Sequence, residues 1–140
     1  MNADLFLRRV VFLAKHFWDY DIKDIVRLCL MDIDMPTDMD GYKYLICGIA
    51  FLYKNPDSLI TKHVYPAIAK EFSCRSTHVE IAIRRTIEAT WKDRGVKWLN
   101  YFPDNRKLTN GEFISTMTEV LAFWDICRKN LIAEGVGRRE

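Results

Sequence analysis

Apolar residues recur along most of the chain at the three- and four-residue spacing of amphipathic helices, and no segment alternates with the two-residue period of a strand. In residues 5–18 the apolar side chains share one broad arc of a helical wheel, and the opposite side carries Arg8, Arg9, Lys15 and His16. This pattern predicts an amphipathic helix. A second helix is predicted over residues 21–33, and it ends before Pro36 because a proline disfavours helical backbone in the preceding residue.

Capping residues predict the bounds of the later helices. Asp38 or Asp40 is the expected N-cap of a helix over residues 42–53. Pro66 suits the first turn of a short helix over residues 67–72, which a tight connection at 73–76 follows.

Two segments have the form of a capping box, Thr77 with Glu80 and Thr109 with Glu112. The first predicts a helix that runs to about residue 94 and stops at Gly95. The second predicts a last long helix to about residue 133, stopped by Gly135. Together the patterns predict an all-α fold of six or seven helices.

Composition narrows the class of protein. The chain has 140 residues, of which 49% are hydrophobic and 29% charged, the profile of one compact domain and not of a disordered chain. Four widely spaced cysteines form no zinc-ligand pattern, so we interpret them as reduced, mostly buried thiols of a cytosolic protein: Cys29, Cys47, Cys74 and Cys127. The apolar run after Arg9 has five residues, too few for an export signal or a membrane span, so we expect a cytoplasmic protein without a membrane partner.

Charge is unevenly distributed along the chain. Residues 60–98 carry eight Lys/Arg against four Asp/Glu, whereas the net charge of the whole chain is +2. Such a segment can attract nucleic acid or can be an ordinary solvated surface. The acidic stretch 32–41 lacks the ligand spacing of a calcium loop. Neither a catalytic pair nor a phosphate-binding glycine loop is visible, so we expect no enzyme activity, no metal and no cofactor.

The basic segment contains a short helix, a turn and a longer helix, which is the pattern of a helix-turn-helix. One side of the longer helix is expected to face the core: Val79, Ile83, Thr86, Ile87 and Thr90. The other side and the turn before it carry the candidate DNA-binding residues: Arg75, Thr77, His78, Glu80, Ile81, Arg84 and Arg85.

These side chains have the chemistry that DNA recognition requires. Arg84 and Arg85 can reach guanine edges or phosphates, and Glu80 can accept a hydrogen bond from a cytosine amino group. Thr77 and His78 can reach phosphates or base edges at the end that enters the groove. A surface salt bridge of Arg84 with Glu80 or Glu88 explains the same pattern equally well.

Four motifs carry a family resemblance, GYKYL at 41–45, ITKHVYPAIAKEF at 60–72, VEIAIRRTIEATW at 79–91 and KLTNGEFI at 107–114. In these motifs the chain resembles the C-terminal DNA-binding effector domain of stage 0 sporulation protein A, a bacterial response regulator. The resemblance implies a six-helix fold with a helix-turn-helix, recognition of a promoter box in the major groove, and transcriptional regulation, often as dimers. We accordingly expect an N-terminal amphipathic helix at 1–20, the effector-like domain at 21–134 and a short tail at 135–140.

Two departures from the family are expected to matter. Fewer than 40 residues precede the matched region, which begins near Pro36, so the family's phosphoacceptor receiver domain does not fit there. We expect a switch other than phosphorylation of this chain, and we expect the first helix either to pack on the effector-like domain or to supply a dimer interface.

The second departure lies in the recognition helix. His78 and Ile81 stand where the family typically has arginine, and only Glu80 and Arg84 carry over as family DNA-contacting positions. Loss of a bidentate guanine contact removes about 1–3 kcal/mol of discrimination, so we expect altered specificity. Ile81, expected to be exposed, can meet a thymine methyl group or mark a protein contact. Arg85 is basic where the family often has histidine.

Two functions follow as expectations. The first is a sequence-specific transcriptional regulator that binds double-stranded DNA, with a homodimer and RNA polymerase as candidate protein partners. The alternative is a protein that does not read DNA and acts in mixed assemblies with a full-length regulator or with RNA polymerase.

Overall fold

The computed structural model describes residues 3–135, which contain six α-helices and no strand. The helices are α1 (Ala3–His16), α2 (Ile22–Asp32), α3 (Asp40–Lys54), α4 (Tyr65–Glu71), α5 (Ser76–Lys92) and α6 (Asn110–Ala133). A π-helical turn, Ile60–Val64, leads into α4, and a 3₁₀ turn, Val96–Asn100, follows α5. The all-α prediction is confirmed. Residues 136–140 of the predicted tail lie outside the described residues.

Several predicted helix ends are confirmed. Asp21 caps α2, since its carboxylate accepts a hydrogen bond from the amide of Asp24. The capping box of Thr109 and Glu112 opens α6, with both reciprocal hydrogen bonds present. Pro66 lies in the first turn of α4, and Gly135 has a φ of 97° after the end of α6. In each case the residue satisfies backbone groups that the helix end leaves unpaired, or adopts the backbone conformation required there.

The predicted capping box of Thr77 and Glu80 is wrong. The N-cap of α5 is Arg75, two residues before Thr77, and it makes no side-chain capping hydrogen bond; the helix begins at Ser76. Thr77 therefore lies inside the first turn, where its hydroxyl is no longer placed to cap. The Glu80 carboxylate accepts a hydrogen bond from Arg84 instead of returning to the cap.

Two further predicted ends differ. The N-cap of α3 is Met39, without a side-chain hydrogen bond, so neither Asp38 nor Asp40 is the N-cap. Asp40 is instead the first residue of the helix, where a carboxylate favours the helix dipole. Helix α5 ends at Lys92, and Gly95 has a φ of −101°, so it is the N-cap of the 3₁₀ turn and not a left-handed stop.

Helix α3 is the centre of the core and packs against α2, α4, α5 and α6. The residues that it buries include Tyr44, Leu45, Ile46 and Ile49. Because α4 and α5 both contact α3, the same helix supports both halves of the predicted helix-turn-helix.

Helix α1 packs against α6 and the 3₁₀ turn, and it buries Val10, Leu13 and Ala14 in the common core. Tyr101 fixes this position, because its hydroxyl accepts from Arg9 Nε and donates to Asp32 Oδ2, each at 2.9 Å. Burial raises the pKa of Tyr101 far above its usual value, so the phenol keeps the proton that it donates. The first helix therefore contacts the rest of this chain, as one of the two expected arrangements requires. The domain boundary at residue 20 stays a prediction.

Only part of the expected cysteine burial is found. All four cysteines are unpaired, but Cys29 alone is fully buried and the other three are half-buried. Within residues 3–135, none of the helices combines the length and the apolar character needed to cross a membrane.

Candidate nucleic-acid interface

The turn between α4 and α5 is compact and is fastened to α3. Ser73 takes a left-handed φ of 52°, and the Cys74 amide donates to the Ala69 carbonyl at 3.0 Å. The Tyr44 ring of α3 lies 5.1 Å from the Phe72 ring, and its hydroxyl accepts from Cys74 Sγ at 3.8 Å. These contacts hold a short helix, a turn and a longer helix in the arrangement of a helix-turn-helix.

Close contact with α3 sets the position of α5. A Cβ atom at Gly41 would lie 2.5 Å from the Ala82 carbonyl and 2.1 Å from the Thr86 hydroxyl, so only glycine allows the observed approach. The Thr86 and Thr90 hydroxyls donate to carbonyls one turn back, at 2.8 Å each, and so are satisfied inside the core. The predicted inward side is confirmed, since the structure buries Val79, Ile83, Thr86, Ile87 and Thr90.

The opposite side of α5 is open. We use the term recognition face for the seven residues predicted from the sequence: Arg75, Thr77, His78, Glu80, Ile81, Arg84 and Arg85. Five of them are exposed, and Glu80 and Ile81 are half-buried. The fold thus brings the predicted residues together on one surface of one helix and its N-cap.

The arginines of the recognition face differ in their surroundings. Arg84 pairs with Glu80 one turn away, so its guanidinium is oriented and its charge is balanced. Arg85, on the other hand, makes no ion pair or side-chain hydrogen bond with any of residues 3–135. Since no described residue balances the charge of Arg85, its guanidinium is free to bind an external ligand. The first turn of α5 contains no acidic residue, so no carboxylate of that turn offsets the positive end of the helix dipole.

Ile81 is less exposed than the sequence predicts. It is half-buried because it lines a cleft of about 190 Å³ between α5 and the start of α3. His78 and Arg85 line the same cleft, with Met39 and Asp40 on the opposite wall. The expectation of an isoleucine standing free at the centre of the outward side is thus corrected.

The neighbours that α3, α6 and the segment before α6 contribute were not predicted from the sequence. Asp40 Oδ2 lies 3.7 Å from His78 Nε2, and Asn110 donates to the Glu80 carbonyl at 3.0 Å. Lys107 Nζ lies 3.0 Å from Glu88 Oε1. These contacts join residues 19 to 38 positions apart, and no spacing rule within one helix could have found them.

Comparison with known families agrees with this geometry. A family model described as sporulation initiation factor Spo0A C terminal matches residues 26–121. The match includes α3, α4, α5 and the start of α6, and it begins earlier in the chain than the motifs that carried the resemblance. Helix α1 lies before it. The Spo0A C-terminal domain is a DNA-binding effector domain of a response regulator that controls transcription in sporulation. Because the match covers more than half of the 140-residue chain, the chain belongs to this family.

Proposed function

We propose that the chain is a sequence-specific DNA-binding transcriptional regulator, with α5 as the helix that enters the major groove. The observation that carries the proposal is the division of α5 into a fully buried side and an open side that holds Thr77, His78, Arg84 and Arg85. In a family of DNA-binding effector domains, an open basic helix after a tight turn is the element that contacts base edges.

Each residue of the recognition face has a proposed role. Arg84, held by Glu80, donates to a guanine, because a fixed guanidinium matches its O6 and N7 acceptors. Arg85 neutralises a backbone phosphate or contacts a second base. Arg75, Thr77 and His78 lie at the start of α5 and contact phosphates there. Half-buried Ile81 offers its apolar edge to a thymine methyl group.

The test is equilibrium binding to duplexes that carry the family's promoter box, a scrambled box and a randomised pool, at several salt concentrations. We expect Arg84→Ala to weaken box binding by about 1–3 kcal/mol and to relax specificity at one position. If Arg85 contacts a phosphate, Arg85→Ala should reduce the slope of log affinity against log salt concentration by about one charge.

Arg27→Ala is the matched control, because Arg27 is exposed on α2 and pairs only with Asp24 of its own helix within the described residues. Thermal unfolding of each variant verifies that the fold is kept. Unchanged affinity of both Arg84→Ala and Arg85→Ala contradicts the proposal. Absence of binding at low salt favours the alternative function, a protein that acts only through protein partners.

One further surface supports a homodimer as part of the proposed function. Leu7 and Val11 of α1 are 52% and 48% exposed, and Phe123 and Ile126 of α6 are 43% and 57% exposed. Leu7 and Phe123 line one groove of about 550 Å³, so exposed apolar side chains of the two helices meet there. Contiguous apolar surface of this kind marks protein contacts.

We propose that a second copy of the chain covers this surface. Arg8 and Lys15 are exposed on α1, and Glu119 is exposed on α6. A two-fold contact that places α1 of one copy against α6 of the other pairs these opposite charges. RNA polymerase is the alternative partner for the apolar surface. As a DNA-binding regulator, the protein would act in the cytoplasm, where bacterial DNA lies.

Sedimentation equilibrium tests the dimer. Ile126→Glu is expected to give monomers, whereas Val96→Glu is the control, because Val96 is 84% exposed on the 3₁₀ turn and outside this surface. A monomeric wild-type protein, with and without DNA, contradicts the homodimer and leaves RNA polymerase to be tested by pull-down with the same two variants.

A further inference from the structure

Asp40 places a carboxylate beside the recognition face. It is the first residue of α3, and it lines the cleft that Ile81, His78 and Arg85 line from α5. The close approach of the neighbouring Gly41 to Ala82 and Thr86 holds the start of α3 against the middle of α5. The position of Asp40 is therefore built into the packing of the two helices and does not depend on a flexible loop.

One cation, Lys43, and the imidazole of His78 share this carboxylate. Asp40 Oδ2 lies 3.7 Å from His78 Nε2, and Asp40 Oδ1 lies 3.6 Å from Lys43 Nζ. Both distances are at the long end of the range for an ion pair, and all three side chains are about half exposed. Such pairs are weak, so a stronger anion can replace the carboxylate at little cost.

Aromatic rings hold Lys43 in this position. Its Nζ lies 5.6 Å from the centre of the Tyr44 ring and 5.4 Å from the centre of the Phe72 ring. Phe72 ends α4, and the Tyr44 ring lies 5.8 Å from the His78 ring. Lys43 thus lies at the turn of the helix-turn-helix, close to the start of the recognition helix, where cation–π contacts from two elements favour its free-protein position.

We propose that Asp40 is an internal counter-ion that limits DNA affinity, and that Lys43 is a phosphate-contacting residue outside the recognition helix. This inference rests on the proposed function. In the free protein Asp40 holds Lys43 and His78. On DNA the Lys43 ammonium and the His78 imidazole move to a backbone phosphate, and the carboxylate remains near the duplex as a repulsive charge. Because that repulsion acts on every DNA sequence, it lowers non-specific affinity and leaves selection to base contacts.

Asp40→Asn tests the proposal, with Asp38→Asn as the matched control. Asp38 is exposed two residues earlier, and within residues 3–135 it neither lines the cleft nor pairs with a cation. We expect Asp40→Asn to bind a scrambled duplex about threefold more tightly at low salt, the size of one screened charge near a phosphate. The gain should fade at high salt and should be clearly smaller for Asp38→Asn.

A double-mutant cycle with Lys43→Gln identifies the cation. Lys43→Gln alone should weaken binding and lower the salt slope by about one charge. In the Lys43→Gln background the gain from Asp40→Asn should shrink, because the lysine that the carboxylate holds is gone. Thermal unfolding shows whether each variant keeps its fold.

The outcomes separate this inference from the proposed function. Specific binding by the wild-type protein, with equal effects of Asp40→Asn and Asp38→Asn or with weaker binding by Asp40→Asn, overturns the inference alone. Additivity of Asp40→Asn and Lys43→Gln removes Lys43 from the proposal. Absence of DNA binding by wild-type protein and all variants overturns the proposed function and this inference with it.

Discussion

Gly41 and Gly48 lie seven residues apart on α3 and determine how closely the two helices of the helix-turn-helix can approach it. Cβ atoms at the two positions would meet different kinds of neighbour. At Gly41 the obstacle includes the Ala82 carbonyl at 2.5 Å, which is backbone and cannot move without shifting α5. At Gly48 it is Ile68 Cδ1 at 2.7 Å, the end of a flexible side chain. The first glycine therefore positions the recognition helix, whereas the second accommodates α4.

Alanine substitutions measure this difference. Gly41→Ala is expected to cost at least about 2 kcal/mol in free energy of unfolding, the upper part of the range for overpacking. Gly48→Ala should cost about 1 kcal/mol or less, because Ile68 can adjust and alanine favours the helix. Gly111→Ala is the control, since its Cβ would meet only Ile60 Cγ1 at an ordinary 3.8 Å. It should be neutral or slightly stabilising in urea unfolding. Equal costs at Gly41 and Gly48 would contradict this account.

Glu112 is a carboxylate whose ionisation depends on the fold. The hydrogen bond from Arg106, helped by the Thr109 amide, lowers the pKa of Glu112 to about 2 from its usual 4.5. A carboxylate with a lowered pKa in the folded state stabilises the fold above its unfolded pKa and loses that contribution as pH falls through the folded pKa. The stabilising effect of Glu112 is thus complete above pH 4.5 and disappears between pH 4.5 and pH 2.

Glu112→Gln should therefore flatten the dependence of melting temperature on pH between pH 4.5 and pH 2. The control is Glu71→Gln, because Glu71 is exposed at the end of α4 and makes no ion pair with residues 3–135. Its curve should run parallel to that of the wild-type protein. If both glutamine variants lose the same part of the acid transition, the local contacts of Glu112 are not its cause.

Sequence patterns predicted the elements better than their ends. The last helix was predicted through Thr109 and Glu112 because its capping box is made of side chains three residues apart, a purely local arrangement. The same pattern at Thr77 and Glu80 failed, because the turn that contacts Tyr44 starts α5 two residues earlier. Local spacing cannot distinguish these cases, since the contact that decides between them comes from another helix.

The same limit applies to the candidate site. The helical period correctly separated the inward residues of α5 from the outward ones, because burial on a helix follows its 3.6-residue repeat. It could not show that Ile81 is half covered or that Asp40 lies beside His78. Both facts depend on how α3 crosses α5, which the close contact at Gly41 determines.

The docking of α1 depends on an equally non-local polar contact. Tyr101 joins Arg9 of α1 to Asp32 of α2, and both charged side chains are largely buried. Tyr101→Phe leaves this pair without its bridging hydroxyl and is expected to cost about 1–3 kcal/mol in free energy of unfolding. Tyr20→Phe is the matched control, because Tyr20 is 43% exposed and its hydroxyl makes no hydrogen bond within residues 3–135.

Urea unfolding of the two tyrosine variants gives the comparison. An equal, small effect of both substitutions would mean that apolar packing of Val10, Leu13 and Ala14 holds α1 without help from the polar contact.

Across the whole molecule, the two proposed binding surfaces lie on different helices that share one core. The recognition face belongs to α5, which packs on α3, α4 and α6, whereas the apolar surface belongs to α1 and α6. Helix α6 contacts both α1 and α5 and so connects the two surfaces within one core. This connection exists only while α1 stays docked on the rest of the domain.

The reactivity of Cys29 on α2 reports whether α1 stays docked while the rest of the domain is folded. Its side chain is 1% exposed on α2, and burial raises the pKa of Cys29 to about 12, so the native thiol reacts only when the structure opens. If the domain unfolds as one unit, the opening free energy from iodoacetamide labelling, followed by peptide mass spectrometry, should equal the urea unfolding value. Half-buried Cys127 serves as the faster internal control. A lower value at Cys29 would mean that α1 and α2 detach first. Tyr101→Phe should then lower that value further, because Tyr101 bridges these two helices.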